Sequence, residues 1–232
     1  MTRLLRFASL LLLVGVADAW ANGTITHLSG SVMVERADGT AVPATTGTKV
    51  LAGDTIVTAA GAYARMEMTD RGEIVLRPGT RIKIESYAFN EAKPQEDSFV
   101  FSMLKGGLRT VTGLIGKRGN RDAYELKTPT ATIGIRGTDY TGRVCAGSEC
   151  GALPPGTYLH VANGSIFTSN GSGGLLLGSG QSAHVPQFTP PVLLPRDPGI
   201  GFTPPPTVPR PGGGAAPPGG GQGGAGPGGP PG

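Results

Sequence analysis

Tyr63-Ala64-Arg65-Met66-Glu67-Met68, then Glu73-Ile74-Val75-Leu76-Arg77, then Arg81-Ile82-Lys83-Ile84-Glu85 are three runs separated only by Asp70-Arg71-Gly72 and Pro78-Gly79. In the first run Ala64, Met66 and Met68 share one face and Arg65 and Glu67 the other. In the third, Ile82 and Ile84 oppose Arg81, Lys83 and Glu85. A period of two puts successive side chains on opposite sides of an extended chain, so each run reads as a strand with one buried and one wet face. Gly, Pro and Asp in the gaps supply the backbone geometries that reverse such strands.

The same alternation extends in both directions. Upstream, Ser31–Glu35 and Asp54–Thr58 read as strands, the first ended by Asp38-Gly39. Downstream, a charged loop over Asn90–Asp97 precedes an apolar strand over Phe99–Leu104. Gly106-Gly107 then reads as a tight turn into Leu108–Val111, and Gly113–Asp122 as an exposed Gly- and Arg/Lys-rich segment. Tyr124–Lys127, Ala131–Arg136 and Asp139–Val144 are three further strands. Thr157–Ala162 and Ser165–Thr168 flank Asn163-Gly164, read as a hairpin turn because both central positions of such a turn favour positive φ. Leu175–Leu177 and Ser182–Val185 close the domain. No fixed repeat holds across three units, so the expected fold is all-β: a single domain of short, mostly antiparallel strands in a sandwich or roll over residues 22–185.

Composition supports that class. The 232 residues include 40 Gly and 21 Pro, roughly twice the usual share, which excludes a chain built mainly of long helices. Much of the excess lies in Pro186–Gly232, where 29 of 47 residues are Gly or Pro and only Arg196, Asp197 and Arg210 are charged. So few apolar groups cannot offset the entropy of ordering the segment, and residues 186–232 read as a disordered tail.

The other end has the layout of a secretory signal over residues 1–21: Arg3 and Arg6, an apolar run from Phe7 to Val16, then small residues. Cleavage falls after Ala19 or after Ala21. The apolar run is too short to span a bilayer, which needs about 20 residues, so no spanning segment is expected in the mature chain. An exported chain meets an oxidising compartment, and Cys145 and Cys150 read as a local disulfide. Closing so short a loop contributes about 2 kcal/mol.

Net charge is +4 for the whole chain, too mild to argue for nucleic acid. The basic stretch Lys105, Arg109, Lys117, Arg118 and Arg121 lacks the interleaved aromatics of a base-stacking platform. It reads as a solvated face or as a contact surface for an acidic partner. His27, His160 and His184 stand apart, no zinc or calcium spacing occurs, and no Ser sits in a Gly-x-Ser-x-Gly elbow. Gly113–Arg118 lacks the spacing of a phosphate loop. No catalytic residue, cofactor or metal site is expected.

Two stretches carry a family resemblance: Leu104-Lys105-Gly106-Gly107-Leu108-Arg109-Thr110-Val111, and Lys127-Thr128-Pro129-Thr130-Ala131-Thr132-Ile133-Gly134-Ile135-Arg136-Gly137-Thr138-Asp139-Tyr140. With Leu51–Thr58 and Arg71–Leu76 they resemble the FecR domain, in order, over about 110 residues. Pro129 fixes a corner, since it cannot donate to a ladder; Ala131, Ile133 and Ile135 share one face, with Arg136 opposite and Asp122, Glu125 or Asp139 as its candidate partners. The resemblance implies a periplasmic module that works through protein contact. Signal-transducing relatives add a cytoplasmic anti-sigma segment and one membrane helix; the chain is similar only to their periplasmic part, so a freestanding exported form is expected. The implied partner is an envelope protein, either an outer-membrane receptor or the periplasmic domain of a membrane sensor. Arg109, Lys117, Arg118, Arg121 and Arg136 are the candidate contact residues. The alternative is a structural envelope or cell-surface protein that uses its tail as a spacer.

Overall fold

In a computed structural model, residues 21–120 and 122–212 are described, and they form fifteen strands, two single 3₁₀ turns (Pro94–Glu96 and Ser148–Cys150) and no α-helix. The strands are β1 (Gly23–Ser29), β2 (Val32–Glu35), β3 (Ala41–Pro43), β4 (Lys49–Val50), β5 (Thr55–Thr58), β6 (Tyr63–Met68), β7 (Glu73–Leu76), β8 (Arg81–Ala88), β9 (Ser98–Val111), β10 (Tyr124–Lys127), β11 (Thr132–Cys145), β12 (Gly156–Asn170), β13 (Gly173–Gly178), β14 (Ser182–Val185) and β15 (Val192–Leu194). All fifteen belong to one sheet, and every pair in it is antiparallel except β9 with β10. The expected signal segment lies outside the described residues.

The alternating runs behave as their period requires. Ala64, Met66 and Met68 are buried, as are Ile82 and Ile84, while Glu67 and Glu85 face water. These side chains join Ile25, Phe99, Phe101, Leu126, Ile133, Ile135 and Leu159 in one core that draws on strands from β1 to β14. Its centre is aromatic: Phe99 stacks on Phe101 at 4.8 Å, lies 4.9 Å from Tyr124 and meets Tyr87 edge-on at 5.0 Å.

Three long strands make this core continuous. The first half of β9 pairs with β8 and β10, and its second half with β7 and β11. Likewise β11 pairs first with β10 and then with β9, and β12 with β14 and then with β13. Each therefore passes from one half of the sheet to the other, and the sheet curls into a roll.

That continuity corrects three local expectations. Gly106-Gly107 is not a turn: β9 continues through it with a bend, and a Cβ on Gly106 (φ +87°) would meet Thr80 Cα at 2.5 Å. The runs Ala131–Arg136 and Asp139–Val144 are one strand, β11, with a register break between Arg136 and Asp139. Nor is Asn163-Gly164 a hairpin. Only Gly164 takes positive φ, so the turn that requires it at both positions cannot form. β12 bends there instead, opposite the break in β11, and a Cβ on Gly164 would lie 2.3 Å from the Gly137 carbonyl oxygen. The hairpin that does form uses the next Asn-Gly: Asn170 Oδ1 accepts from the N–H groups of Ser172 and Gly173, reversing β12 into β13.

The chain past Val185 also departs from expectation. Residues 186–212 lie against the domain: β15 adds to β14, and Ile200 is fully buried with Cys145, Cys150 and Tyr158. Val208 is buried as well, Phe202 rests 6.2 Å from Tyr63, and the Gly212 N–H donates to Glu73 at 2.6 Å. The few apolar residues scattered among the prolines each find a site on the sheet, and proline lowers the entropy lost in holding them there. The rest of the expected disordered tail, residues 213–232, lies outside the described residues.

Two outcomes test this packing. Gly164→Ala is expected to cost at least about 2 kcal/mol, because it adds both left-handed strain and a backbone clash. A freely exposed hairpin would lose well under half of that in denaturant unfolding. Burial raises the phenol pKa of Tyr87, Tyr124 and Tyr140. The unfolded chain sheds those protons near pH 10 while the folded chain keeps them, so stability is full below about pH 10 and falls as pH rises beyond it. Tyrosinate absorbance of these three is expected to appear only with alkaline unfolding.

Candidate functional site

Asp70, at the β6–β7 turn, is almost fully buried and organises the segment after β9. Its Oδ1 accepts the Gly72 N–H at 3.0 Å, its Oδ2 the Ile115 N–H at 3.1 Å, and its carbonyl the Leu114 N–H at 2.9 Å. A buried carboxylate needs such donors. On the other side, the Thr112 N–H donates to the Thr138 carbonyl at 3.0 Å, and the Thr138 N–H to Thr112 Oγ1 at 2.7 Å. These bonds draw residues 112–118 alongside the bend of β11.

A depression of about 460 Å³ results, lined by Gly116, Lys117, Arg118, Gly119, Asn120, Arg136 and Gly137. Lys117 is exposed, its stem close to Gly137, where φ is +62° and a Cβ would lie 3.4 Å from Lys117 Cγ. Arg136 is exposed too, with only the solvent-facing Asp122 nearby at 3.9 Å. Asp139 is taken by Arg109, and Glu125 lies 3.3 Å from Lys127.

The five basic residues singled out by sequence therefore part company. Lys117, Arg118 and Arg136 meet at the depression, but Arg118 is largely spent inside the protein. Its Nε donates to buried Asp97 at 3.3 Å, its two terminal nitrogens to the carbonyls of Glu91 and Asn90, and its plane covers Phe89 at 5.0 Å. Arg109 sits elsewhere, in a bidentate pair with Asp139 at 3.0 and 2.8 Å that raises its pKa. Arg121 lies outside the described residues. Among the described residues, Lys117 and Arg136, the latter 3.9 Å from exposed Asp122, present the solvent-facing positive charge at this site.

A second surface differs in character. Between Glu149 and Arg196 the chain contains no Asp, Glu, Lys or Arg, and this run builds β12 to β15. Exposed on it are Phe167, Leu176, Phe188, Val192 and Leu193. Phe167 and Leu176 are cross-strand partners. β13, Gly-Gly-Leu-Leu-Leu-Gly, is bonded to β12 alone and leaves its outer edge open. The other single-partner strands are guarded: β3 ends in Pro43, β4 is two residues with Lys49, and β15 is three residues between Pro191 and Pro195. Short length, proline and charge are the usual devices against edge pairing; β13 has none. The uncharged run was visible in sequence, but a search by motif passes over an absence of charge.

Cys145 and Cys150 are disulfide-bonded. The histidines serve locally: His160 bonds Ser182 at 2.9 Å, and His184 stacks on Tyr158 at 4.4 Å. Among the described residues, no three His, Cys, Asp or Glu side chains gather as metal ligands, and no helix is long and apolar enough to cross a membrane.

The described residues thus form an all-β roll with one unguarded strand edge and a shallow basic depression. Residues 54–167 match the family model described as FecR protein, and over that span the chain belongs to the FecR family. No curated protein matches. Two crystal structures of a proposed anti-sigma factor from Parabacteroides distasonis ATCC 8503, at 1.65 and 2.50 Å, are similar in fold. Each has 14% identity, with TM-scores of 0.45 and 0.46 over 62% of this chain and 60% of that one. The chain thus spans about three fifths of the length of that protein.

Arg118→Ala is expected to cost about 2 kcal/mol in unfolding free energy, because it leaves Asp97 buried without its cation. Lys117→Ala is expected to leave stability within about 0.5 kcal/mol of the native chain, as for other surface changes.

Proposed function

We propose that the protein is a non-enzymatic binding module of the FecR type that acts in envelope sensing or signalling by touching another protein. Membership of the FecR family supports the signalling role, and the layout of residues 1–21 supports export to the periplasm or cell surface. The observation that carries the contact is the open edge of β13: six residues without charge or proline, with Leu176 exposed among them and its cross-strand partner Phe167 exposed beside it. An extended segment of the partner adds there as a further strand, its backbone satisfying the edge and its apolar side chains covering Leu176. Lys117 and Arg136 add attraction for an acidic stretch of the same partner. The partner is an envelope protein, in the class of an outer-membrane receptor or the periplasmic domain of a membrane sensor. The spacer alternative loses ground, because residues 186–212 pack on the domain.

Affinity purification from envelope extracts, run in parallel on the full chain, Leu176→Lys and Lys117→Glu/Arg136→Glu, tests this. The expected result is one protein retained by the native chain, lost with Leu176→Lys and at least tenfold reduced with the double variant, all three folding alike by circular dichroism. Retention that ignores Leu176→Lys overturns the β13 contact.

A further inference from the structure

Several arginines of this protein are matched to acids. Arg36 pairs with Asp54, Arg65 with Glu73, Arg81 with Glu35, Arg109 with Asp139 and Arg118 with Asp97. Arg77 is half-buried and has no such match. It lies at the end of β7, forms no ion pair among the described residues, and its Nη1 is buried with no hydrogen-bond partner. The guanidinium is flanked by the Phe202 ring at 5.5 Å, which shields it from water without accepting a hydrogen bond. Burial, and then the charge of nearby Arg143, lower its pKa. A desolvated cation left unpaired is costly.

Arg77 lines a cavity of about 570 Å³ together with Tyr63, Pro78, Lys105, Arg143, Val144 and Glu149. Lys105 comes from β9 and Arg143 from β11, so three strands deliver three cations to one space. Neither Lys105 nor Arg143 has a carboxylate partner among the described residues; Arg143 donates only to the backbone carbonyl of Glu149. The Glu149 carboxylate is the one acid of the cavity, and it is turned to its own loop. Its Oε1 accepts the N–H groups of Ala146 and Gly147 at 2.6 and 3.0 Å, which lowers its pKa and keeps it ionised. The Cys145–Cys150 disulfide closes that loop and holds this wall in place. Three positive charges and one negative leave a formal +2.

We propose that this cavity is an anion site for a small molecule bearing a phosphate monoester. Such a group carries about −1.5 to −2 at pH 7, which matches the charge of the site; a lone carboxylate would leave half of it uncompensated. Guanidinium groups present paired donors that fit its oxygens, and Arg77 and Arg143 bring two of them to the cavity. The Tyr63 ring, Pro78 and Val144 form an apolar wall for the body of the ligand. The site shares no residue with β13 or with the Lys117–Arg136 depression, so it stands or falls apart from the proposed protein contact.

Titration calorimetry of the full chain with inorganic phosphate and with glycerol 3-phosphate, against chloride at matched ionic strength, tests the assignment. Saturable binding of phosphate is expected, weakened at least tenfold by Arg77→Gln, Lys105→Ala or Arg143→Gln and unchanged by Lys117→Ala. Lys105 is exposed, so Lys105→Ala reads the site even if Arg77→Gln fails to fold. Sedimentation with vesicles containing phosphatidic acid separates the sources: co-sedimentation lost with Lys105→Ala assigns the phosphate to a lipid headgroup, and glycerol 3-phosphate binding without co-sedimentation assigns it to a soluble ligand. A response to phosphate no different from chloride, or one unaffected by all three variants, overturns the site.

Discussion

The close crossing of long strands at glycine is the constraint on which the structure depends. Gly164 of β12 comes so near the Gly137 carbonyl, and Gly106 of β9 so near Thr80, that a methyl group at either place would overlap backbone. Because the strands bend there instead of ending, β9, β11 and β12 each serve both halves of the sheet. A single core from Ile25 to Val185 follows, where separate hairpins would each have had to bury a face alone.

The bends also place the surface groups. The register break of β11 between Arg136 and Asp139 turns Asp139 toward Arg109 and leaves Arg136 facing the Asp70-anchored segment that carries Lys117. The passage of β9 beneath the β7–β8 turn sets Lys105 beside Arg77, and the far end of β11 adds Arg143. Topology thus sets the fate of several arginines: Arg36, Arg65, Arg81, Arg109 and Arg118 are held in pairs, while Arg77 and Arg143 meet without a carboxylate partner at one cavity. The uncharged β12–β15 side forms a third kind of surface.

The segment past Val185 changes the meaning of its composition. Gly and Pro in excess usually mark a chain without a fold, yet here Ile200, Phe202 and Val208 are spaced so that each reaches a site on the sheet, and Gly212 caps Glu73. Phe202 does so with its ring 5.5 Å from the Arg77 guanidinium, while the disulfide loop contributes Ala146 and Glu149 to the cavity that Arg77 lines.

Sequence alone determined what depends on near neighbours. Alternation over 63–68 and 81–85 dictates strands because side chains two apart share a face, Cys145 and Cys150 are near enough to pair, and the Thr128–Tyr140 motif marks the FecR domain. Only the tertiary structure decided what depends on contacts far along the chain. Asn163-Gly164 and Asn170-Gly171 are the same dipeptide, yet one bends a strand and the other reverses it, because the first faces Gly137 and the second faces solvent. Arg77 and Arg118 are likewise equal as letters. One found a buried carboxylate across the fold and the other did not, and no local pattern records which acid a folded chain will bring within reach.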